Sequence, residues 1–307
     1  MASVIALAAA GNAFAAGADD NRFDLSASTS LNTQDSAKLG KANLFLQVTN
    51  LDNDNAPITP AENFEEARID IDDDIVLNSK KAGTCDADVV PLGAANTQDA
   101  VDLCGKKSQI GSGNGKARFA GFAGLDPVSQ EIDLTVTTFN GPVSTAGPTE
   151  CAATSGGGPV NCEWVGGNPT VYLHARNDAT GQTTLAQGEI QDATDTLPGT
   201  GTPPIAAGFG SRLLVSDASD VAGDAGAITL FNSVIGKTTT YKKKGKKKKV
   251  HYISARCNPA DDIDPLAGGT QPGFKFKGEL VYDDDTTHGG GGASIDTDTN
   301  IAYCATP

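Results

Sequence analysis

The sequence predicts an all-β protein, an antiparallel β-sandwich of jelly-roll type with little helix outside an N-terminal leader. Three observations predict it. Acid is taken as 30 Asp against 8 Glu, and Asp favours turns and caps where Glu favours helices. Gly supplies 36 of the 307 residues and Pro another 15, a turn-rich composition. Apolar and polar residues alternate at period two between Gly, Pro and Asp clusters, as in half-buried strands.

Along the chain, Val4 to Ala10 is a short apolar run, followed by Ala13-Phe14-Ala15. Small-x-small after an apolar run marks a secretory cleavage site, so residues 1–15 read as a signal-peptide-like segment, although no Lys or Arg precedes it. No other stretch reaches the 18 or so apolar residues of a membrane span. Residues 16–307 are then the β-sandwich domain, with a division into two lobes near 146–169 as an alternative. Strands are expected at Leu44–Val48 and Arg68–Leu77, where Ile69, Ile71 and Ile75 alternate with Asp70, Asp72 and Asp74. Further strands are expected at Glu131–Phe139, Thr170–Arg176, Ser211–Ser216, Ala227–Val234 and Phe274–Tyr282. Pro60–Ala67, with Glu62, Glu65 and Glu66, gives the one helical signal. Ala146–Pro169 and Asp195–Gly210, rich in Gly, Pro and Thr, read as loops.

The formal charge of -15 and a pI near 4.5 argue against nucleic acid as a main partner, because phosphate binding needs positive surface. That charge is unevenly distributed. Lys242, Lys243, Lys244, Lys246, Lys247, Lys248 and Lys249 form one block, without which the remainder would carry about -22. Thr238–Tyr241 and Val250–Ser254 flank the block as strands, and Lys244-Gly245-Lys246 offers a turn with Gly free to take positive φ. The block is therefore the tip of a hairpin, standing in water or touching a polyanion such as a cell-wall polymer or acidic polysaccharide.

Cys85, Cys104, Cys151, Cys162, Cys257 and Cys304 fit an exported chain, where disulfides persist. Six cysteines permit 15 connectivities, as six objects pair in 15 ways. Proximity favours Cys85–Cys104, Cys151–Cys162 and Cys257–Cys304. No pair has the two-to-four-residue separation of a zinc site.

Several segments together resemble a known group of chains. They are Arg68-Ile69-Asp70-Ile71 leading to Cys85, then Cys104 with Lys106-Lys107-Ser108-Gln109-Ile110-Gly111-Ser112-Gly113. Leu134 to Pro142, Val171-Tyr172-Leu173-His174, and the lysine block running to Ser254-Ala255-Arg256-Cys257 continue the pattern. Phe274-Lys275-Phe276, Tyr282-Asp283-Asp284 and Cys304 close it. Over these segments the chain resembles exported β-rich proteins of actinobacteria. The resemblance implies an exported β-rich protein with the first and last cysteine pairs as drawn, and it implies no activity.

Signals for chemistry are sparse. The histidines are His174, His251 and His288, the first two on strand patterns. No strand–Gly-x-Ser-x-Gly–helix elbow occurs, and no two carboxylates stand out as a glycosidase pair. Gly111 to Gly115 lacks the following helix and Lys-Ser/Thr of a phosphate loop and reads as a flexible strand entry. Structural calcium has candidate ligands in Asp52, Asp54 and Asn55, which resemble a cadherin linker. Asp296 and Asp298 copy the first ligands of a calcium loop, with Ile301 where an EF-hand needs Gly. Asp72–Asp74 and Asp283–Asp285 are acidic clusters whose alternative reading is solvated turns. Trp164, beside Cys162, either stacks on a sugar ring or caps the core. The expectation is a secreted or cell-surface structural or binding protein without catalysis, with no cofactor beyond calcium. A carbohydrate- or cell-wall-polymer-binding module is the first alternative and a secreted hydrolase the second.

Overall fold

The computed structural model describes residues 23–29, 39–50, 64–119, 131–143, 167–193, 205–216, 226–243, 245–257, 273–282 and 295–303. The leader-like segment 1–15, Asp52, Asp54, Asn55, Cys151, Cys162, Trp164, Lys244, His288 and Cys304 lie outside these residues.

The chain is mostly strand. In order come β1 (Phe23–Thr29), β2 (Gly40–Ala42), β3 (Leu44–Asn50), β4 (Phe64–Asp72) and β5 (Ile75–Leu77). Two short helices follow, α1 (Val89–Ala94) and α2 (Thr97–Cys104), then β6 (Gln109–Phe119), β7 (Glu131–Val143), β8 (Pro169–Arg176) and β9 (Thr183–Asp192). The last strands are β10 (Phe209–Ser216), β11 (Gly226–Ile235), β12 (Thr238–Lys243), β13 (Lys246–His251), β14 (Ile253–Ala255), β15 (Gly273–Tyr282) and β16 (Ile295–Tyr303). Eleven strands make one antiparallel sheet in the order β1-β3-β11-β6-β7-β8-β9-β10-β4-β15-β16. Its two end strands, β1 and β16, lie alongside each other, so the sheet curls into a barrel-like wall. The facing layers expected of a sandwich are opposite sides of this one sheet. β7 and β8, which flank 146–169, pair directly from Thr135↔Arg176 to Val143↔Pro169.

Period-two alternation fixes the two faces of the wall. The concave face carries Leu44, Leu46, Ile69, Ile71, Val171, Ile190, Leu213 and Phe276, which meet in one apolar core. A small sheet of β2, β14 and β5 closes one end, adding Ile75, Ile253 and Ala255 to that core. A cavity of about 20 Å³ remains between these side chains. Its apolar lining offers a water no set of polar partners.

The curl needs close approach of strands at β6, and the sequence supplies glycine there. Gly111, Gly113 and Gly115 face inward opposite Thr138, Val136 and Leu134. A Cβ on Gly113 would lie 1.8 Å from the Asn232 carbonyl oxygen of β11. The Gly-rich run, expected as a flexible strand entry, lies within β6, where Gly113 permits the close approach to β11.

The convex face of β9, β10, β4 and β15 is also buried, and it is charged. Register places Arg212 opposite Asp70, and Arg68 opposite both Leu214 and Glu279. Arg212 donates from Nε to Asp70 Oδ1 at 2.5 Å and from Nη2 to Oδ2 at 2.9 Å. Arg68 reaches Glu66 and, at 3.2 Å, Glu279, which also accepts from Lys277 at 2.5 Å. Burial works to raise the Glu279 carboxyl, but Lys277 and Arg68 outweigh it and hold its pKa below the usual value. Asp72 accepts from the backbone N–H groups of Asp74 and Lys275, each at 2.8 Å. The cluster Asp72–Asp74, with a solvated turn as one reading, keeps only Asp73 exposed, while Asp74 is buried against Arg256.

One expectation changes. Pro60–Ala67, read as helical, is extended from Phe64 onward, because β4 is hydrogen-bonded to β10 on one side and β15 on the other. Tertiary pairing overrides the local preference of Glu. Asp296 to Asn300, the candidate calcium segment, lies in β16, with Asp296 opposite Leu280 and Asp298 opposite Gly278.

Gly113→Ala should cost about 1–3 kcal/mol, as overpacked cores do, and urea unfolding checks it; unchanged stability would refute the close approach. Arg212→Met leaves the Asp70 carboxylate buried without its partner and should cost about 3–5 kcal/mol. Asp70→Leu with Arg212→Met removes both charges and should recover most of that loss. A double variant as unstable as the single one contradicts the pairing account.

Candidate functional site

The lysine block forms the hairpin its flanks predict. β12 and β13 pair antiparallel from Thr238↔His251 to Lys243↔Lys246, with Lys242 opposite Lys247. Gly245 takes φ 74° at the turn, a conformation that glycine adopts without strain. Lys246, Lys247, Lys248 and Lys249 are all exposed. The two strands form a sheet of their own, separate from the barrel wall. Opposed residues of an antiparallel pair lie about 5 Å apart, so like charges there repel.

The hairpin is held at its root. Thr238 Oγ1 and His251 Nδ1 lie 2.6 Å apart, and Tyr252 donates its backbone N–H to the Lys237 carbonyl at 2.7 Å. Asn78 donates from Nδ2 to the His251 carbonyl at 3.0 Å and from its backbone to the Tyr252 carbonyl at 2.7 Å. Buried Tyr252, its phenol pKa pushed well up by burial, donates to Asn140 Oδ1 at 3.3 Å. Asn140, at the end of β7, binds further segments. Its Nδ2 donates to the carbonyls of Gly83 at 3.1 Å and Ser79 at 3.3 Å. Its backbone N–H donates to Ser108, and its carbonyl accepts from Cys85, each at 2.8 Å.

These bonds bring other lysines to the hairpin root. Lys80 and Lys81 sit in the short 3-10 turn Ser79–Lys81, and Lys81 Nζ reaches Asn78 Oδ1 at 3.1 Å. The Cys85–Cys104 disulfide closes the chain segment that holds α1 and α2. It returns the chain to Lys106-Lys107, beside which Gly83 packs closely. Lys237 donates to the Lys106 carbonyl. Lys41, on β2, stands opposite Ser254 of β14. Lys41, Lys80, Lys81, Lys106 and Lys107 are exposed. The local potential shows in two groups. Burial first, then Lys41 and Lys249, push the His251 pKa down, while burial and then Lys106 push down Lys237. Among the described residues, neither these lysines nor Lys246–Lys249 form an ion pair with a carboxylate.

Sequence reasoning found the hairpin and missed this basic collar. Its members are single lysines or pairs far apart in the chain. The legible signal was the placing of Lys80-Lys81 just before Cys85 and Lys106-Lys107 just after Cys104, since the disulfide drawn from proximity brings the pairs together. Cys257 is also disulfide-bonded.

His174 lies on the convex face under the disulfide segment, fully buried, with Nε2 3.0 Å from the Ala95 carbonyl and Nδ1 without a hydrogen-bond partner. The Nε2–H donates, which leaves Nδ1 a bare acceptor. Phe139 and Tyr172 pack nearby against Cys85, Leu92 and Cys104. His251 is tied to Thr238 at the hairpin root. Among the described residues, no group of three His, Cys, Asp or Glu side chains is placed to hold a metal, and no helix is long and apolar enough to cross a membrane. Comparison with known proteins finds no matching family model, curated protein or solved structure.

Burial holds the His174 pKa below its usual value, and Arg176 adds to this against the pull of the Ala95 carbonyl. The folded ring therefore stays neutral at a pH where the unfolded chain takes up a proton. Stability is full above about pH 6.5 and falls below it, by up to about 1.4 kcal/mol per pH unit until the folded ring titrates. His174→Gln should flatten that part of the profile. Unfolding free energies at pH 7 and pH 5 check this, and equal slopes in the two proteins would refute it.

Proposed function

We propose that the chain is an exported, non-catalytic binding protein of the cell surface or medium, whose rigid barrel presents the lysine hairpin to an anionic polymer. The observation that carries this reading is the run of exposed Lys246–Lys249 on a hairpin outside the barrel, with no carboxylate partner among the described residues. In a protein of net charge -15, seven lysines within eight residues concentrate positive charge in one place. The disulfide Cys85–Cys104 is compatible with an oxidising compartment. His174 supports a non-catalytic role, because its ring is sealed in the core and bound to a backbone carbonyl.

The test is retention on an immobilised polyol-phosphate polymer and on an acidic polysaccharide, at rising salt and with or without calcium. Wild-type protein should be held at low salt and released as screening increases. Replacing Lys246, Lys247, Lys248 and Lys249 together with Gln should release the protein at clearly lower salt and leave the thermal unfolding midpoint within a few degrees. Retention unchanged by that replacement would sink the reading.

A further inference from the structure

The collar at the hairpin root differs from the hairpin itself. Hairpin lysines follow one another along two strands, so they offer a line of charge without convergence. Collar lysines come from separate segments and are fixed by the fold. Lys237 is anchored to the Lys106 carbonyl, and Lys107 packs against Gly83. Lys81 is anchored to Asn78, whose amide grips the His251 carbonyl. The disulfide and the Asn140 bonds hold the two sides of this arrangement together. The fold fixes the backbone from which each collar lysine projects, and hydrogen bonds hold the Lys237 and Lys81 ammonium groups, so less conformational freedom is lost on binding than at a hairpin tip.

We propose that Lys106, Lys107 and Lys237, with Lys81 and Lys41 at their flanks, form a distinct anion site that takes the phosphate groups of the polymer held by the hairpin. This rests on the polymer-binding reading above and names the ligand class for it. A phosphate group offers several acceptor oxygens at high charge density, whereas a carboxylate offers two oxygens and a single charge. Ammonium groups act as point charges free to meet oxygens from several directions, which suits a tetrahedral anion. The side chains of Lys106 and Lys107 reach water, and the bond from Lys237 uses the Lys106 backbone oxygen. Changing the Lys106 side chain therefore leaves the scaffold intact.

The experiment titrates the full oxidised chain with inorganic tripolyphosphate, with citrate as the carboxylate counterpart, by calorimetry at fixed ionic strength. Tripolyphosphate should bind at least tenfold tighter than citrate. Lys106→Gln with Lys107→Gln should weaken tripolyphosphate binding at least tenfold, while the fourfold Gln variant of Lys246–Lys249 should change it less than threefold. Lys41→Gln with Lys81→Gln, two exposed positions, gives a second measure should the first variant unfold, with a threefold or larger loss expected. The Lys106/Lys107 variant should also be released from the polyol-phosphate polymer at lower salt than wild type, which ties the site to polymer-borne phosphate; release at the wild-type salt concentration would confine it to free phosphate and overturn the proposal. Equal affinity for citrate, or full tripolyphosphate affinity in both collar variants, overturns it as well. Polymer retention unchanged by loss of the hairpin lysines counts against the hairpin reading alone, so the two failures are separable.

Discussion

Asn140 is the residue on which the arrangement of this protein depends. One buried side chain and its own peptide groups link the end of β7 to Ser79, Gly83, Cys85, Ser108 and Tyr252. These partners belong to three parts of the chain that the barrel wall does not otherwise join. They are the 3-10 turn after β5, the disulfide segment and the exit of the lysine hairpin. An amide suits the position because it donates and accepts at once. Asp would repel the Ser79 and Gly83 carbonyls, and Leu would leave both carbonyls and the Tyr252 hydroxyl without their partner. Buried polar groups stripped of partners cost about 1–3 kcal/mol each. The geometry of the basic end is thus set from inside the protein.

A second constraint divides the charges. Described arginines face carboxylates: Arg68 meets Glu66 and Glu279, Arg212 meets Asp70, Arg256 meets Asp74 and Arg176 lies near Asp178. Guanidinium groups bind carboxylates through a planar fork and are less strongly hydrated than ammonium groups, so they suit buried pairs. Lys246–Lys249 of the hairpin and Lys41, Lys80, Lys81, Lys106 and Lys107 of the collar remain in water. Part of the acid counted in the net charge is therefore neutralised beneath the convex face of the sheet, and it offers little screening to the lysines at the hairpin root. The division between an acidic scaffold and a basic block, visible as arithmetic in the sequence, is a division between interior pairing and open surface.

Much of the fold was legible because its signals are local. Alternation in Ile69-Asp70-Ile71 and Leu44 to Val48, and the short apolar run Leu213-Leu214-Val215, mark strands whatever their neighbours. The hairpin was legible because a Gly within a lysine run sits between two strand patterns. Closure of the wall was not, since it depends on β1 and β16 meeting across most of the chain length. The convex charged layer was hidden for a related reason. Asp70 and Asp72 alternate with Ile69 and Ile71 as solvent-facing residues do, and only pairing with β10 and β15 shows that they are buried. The helix Thr97–Cys104 escaped because its eight residues are too short a run for the spacing of Ala100, Val101 and Cys104 to stand out as a helical period. Its start was nonetheless written in Asn96, whose side chain accepts from the Asp99 backbone N–H.

The hairpin also sets a condition on its own stability. Lys242 opposite Lys247 and Lys243 opposite Lys246 are cross-strand pairs of like charge, each of which weakens the ladder. An isolated two-stranded hairpin is marginal in water even without such repulsion. What keeps this one paired is at its base: the Thr238–His251 contact, the Tyr252 to Lys237 bond and the Asn78 grip on the exit strand. The like-charged cross-strand pairs thus lie at the end of the ladder farthest from these anchoring bonds. A bound polyanion relieves that repulsion and so stabilises the paired state. Binding of a polyanion and pairing of the hairpin strands would then be thermodynamically linked.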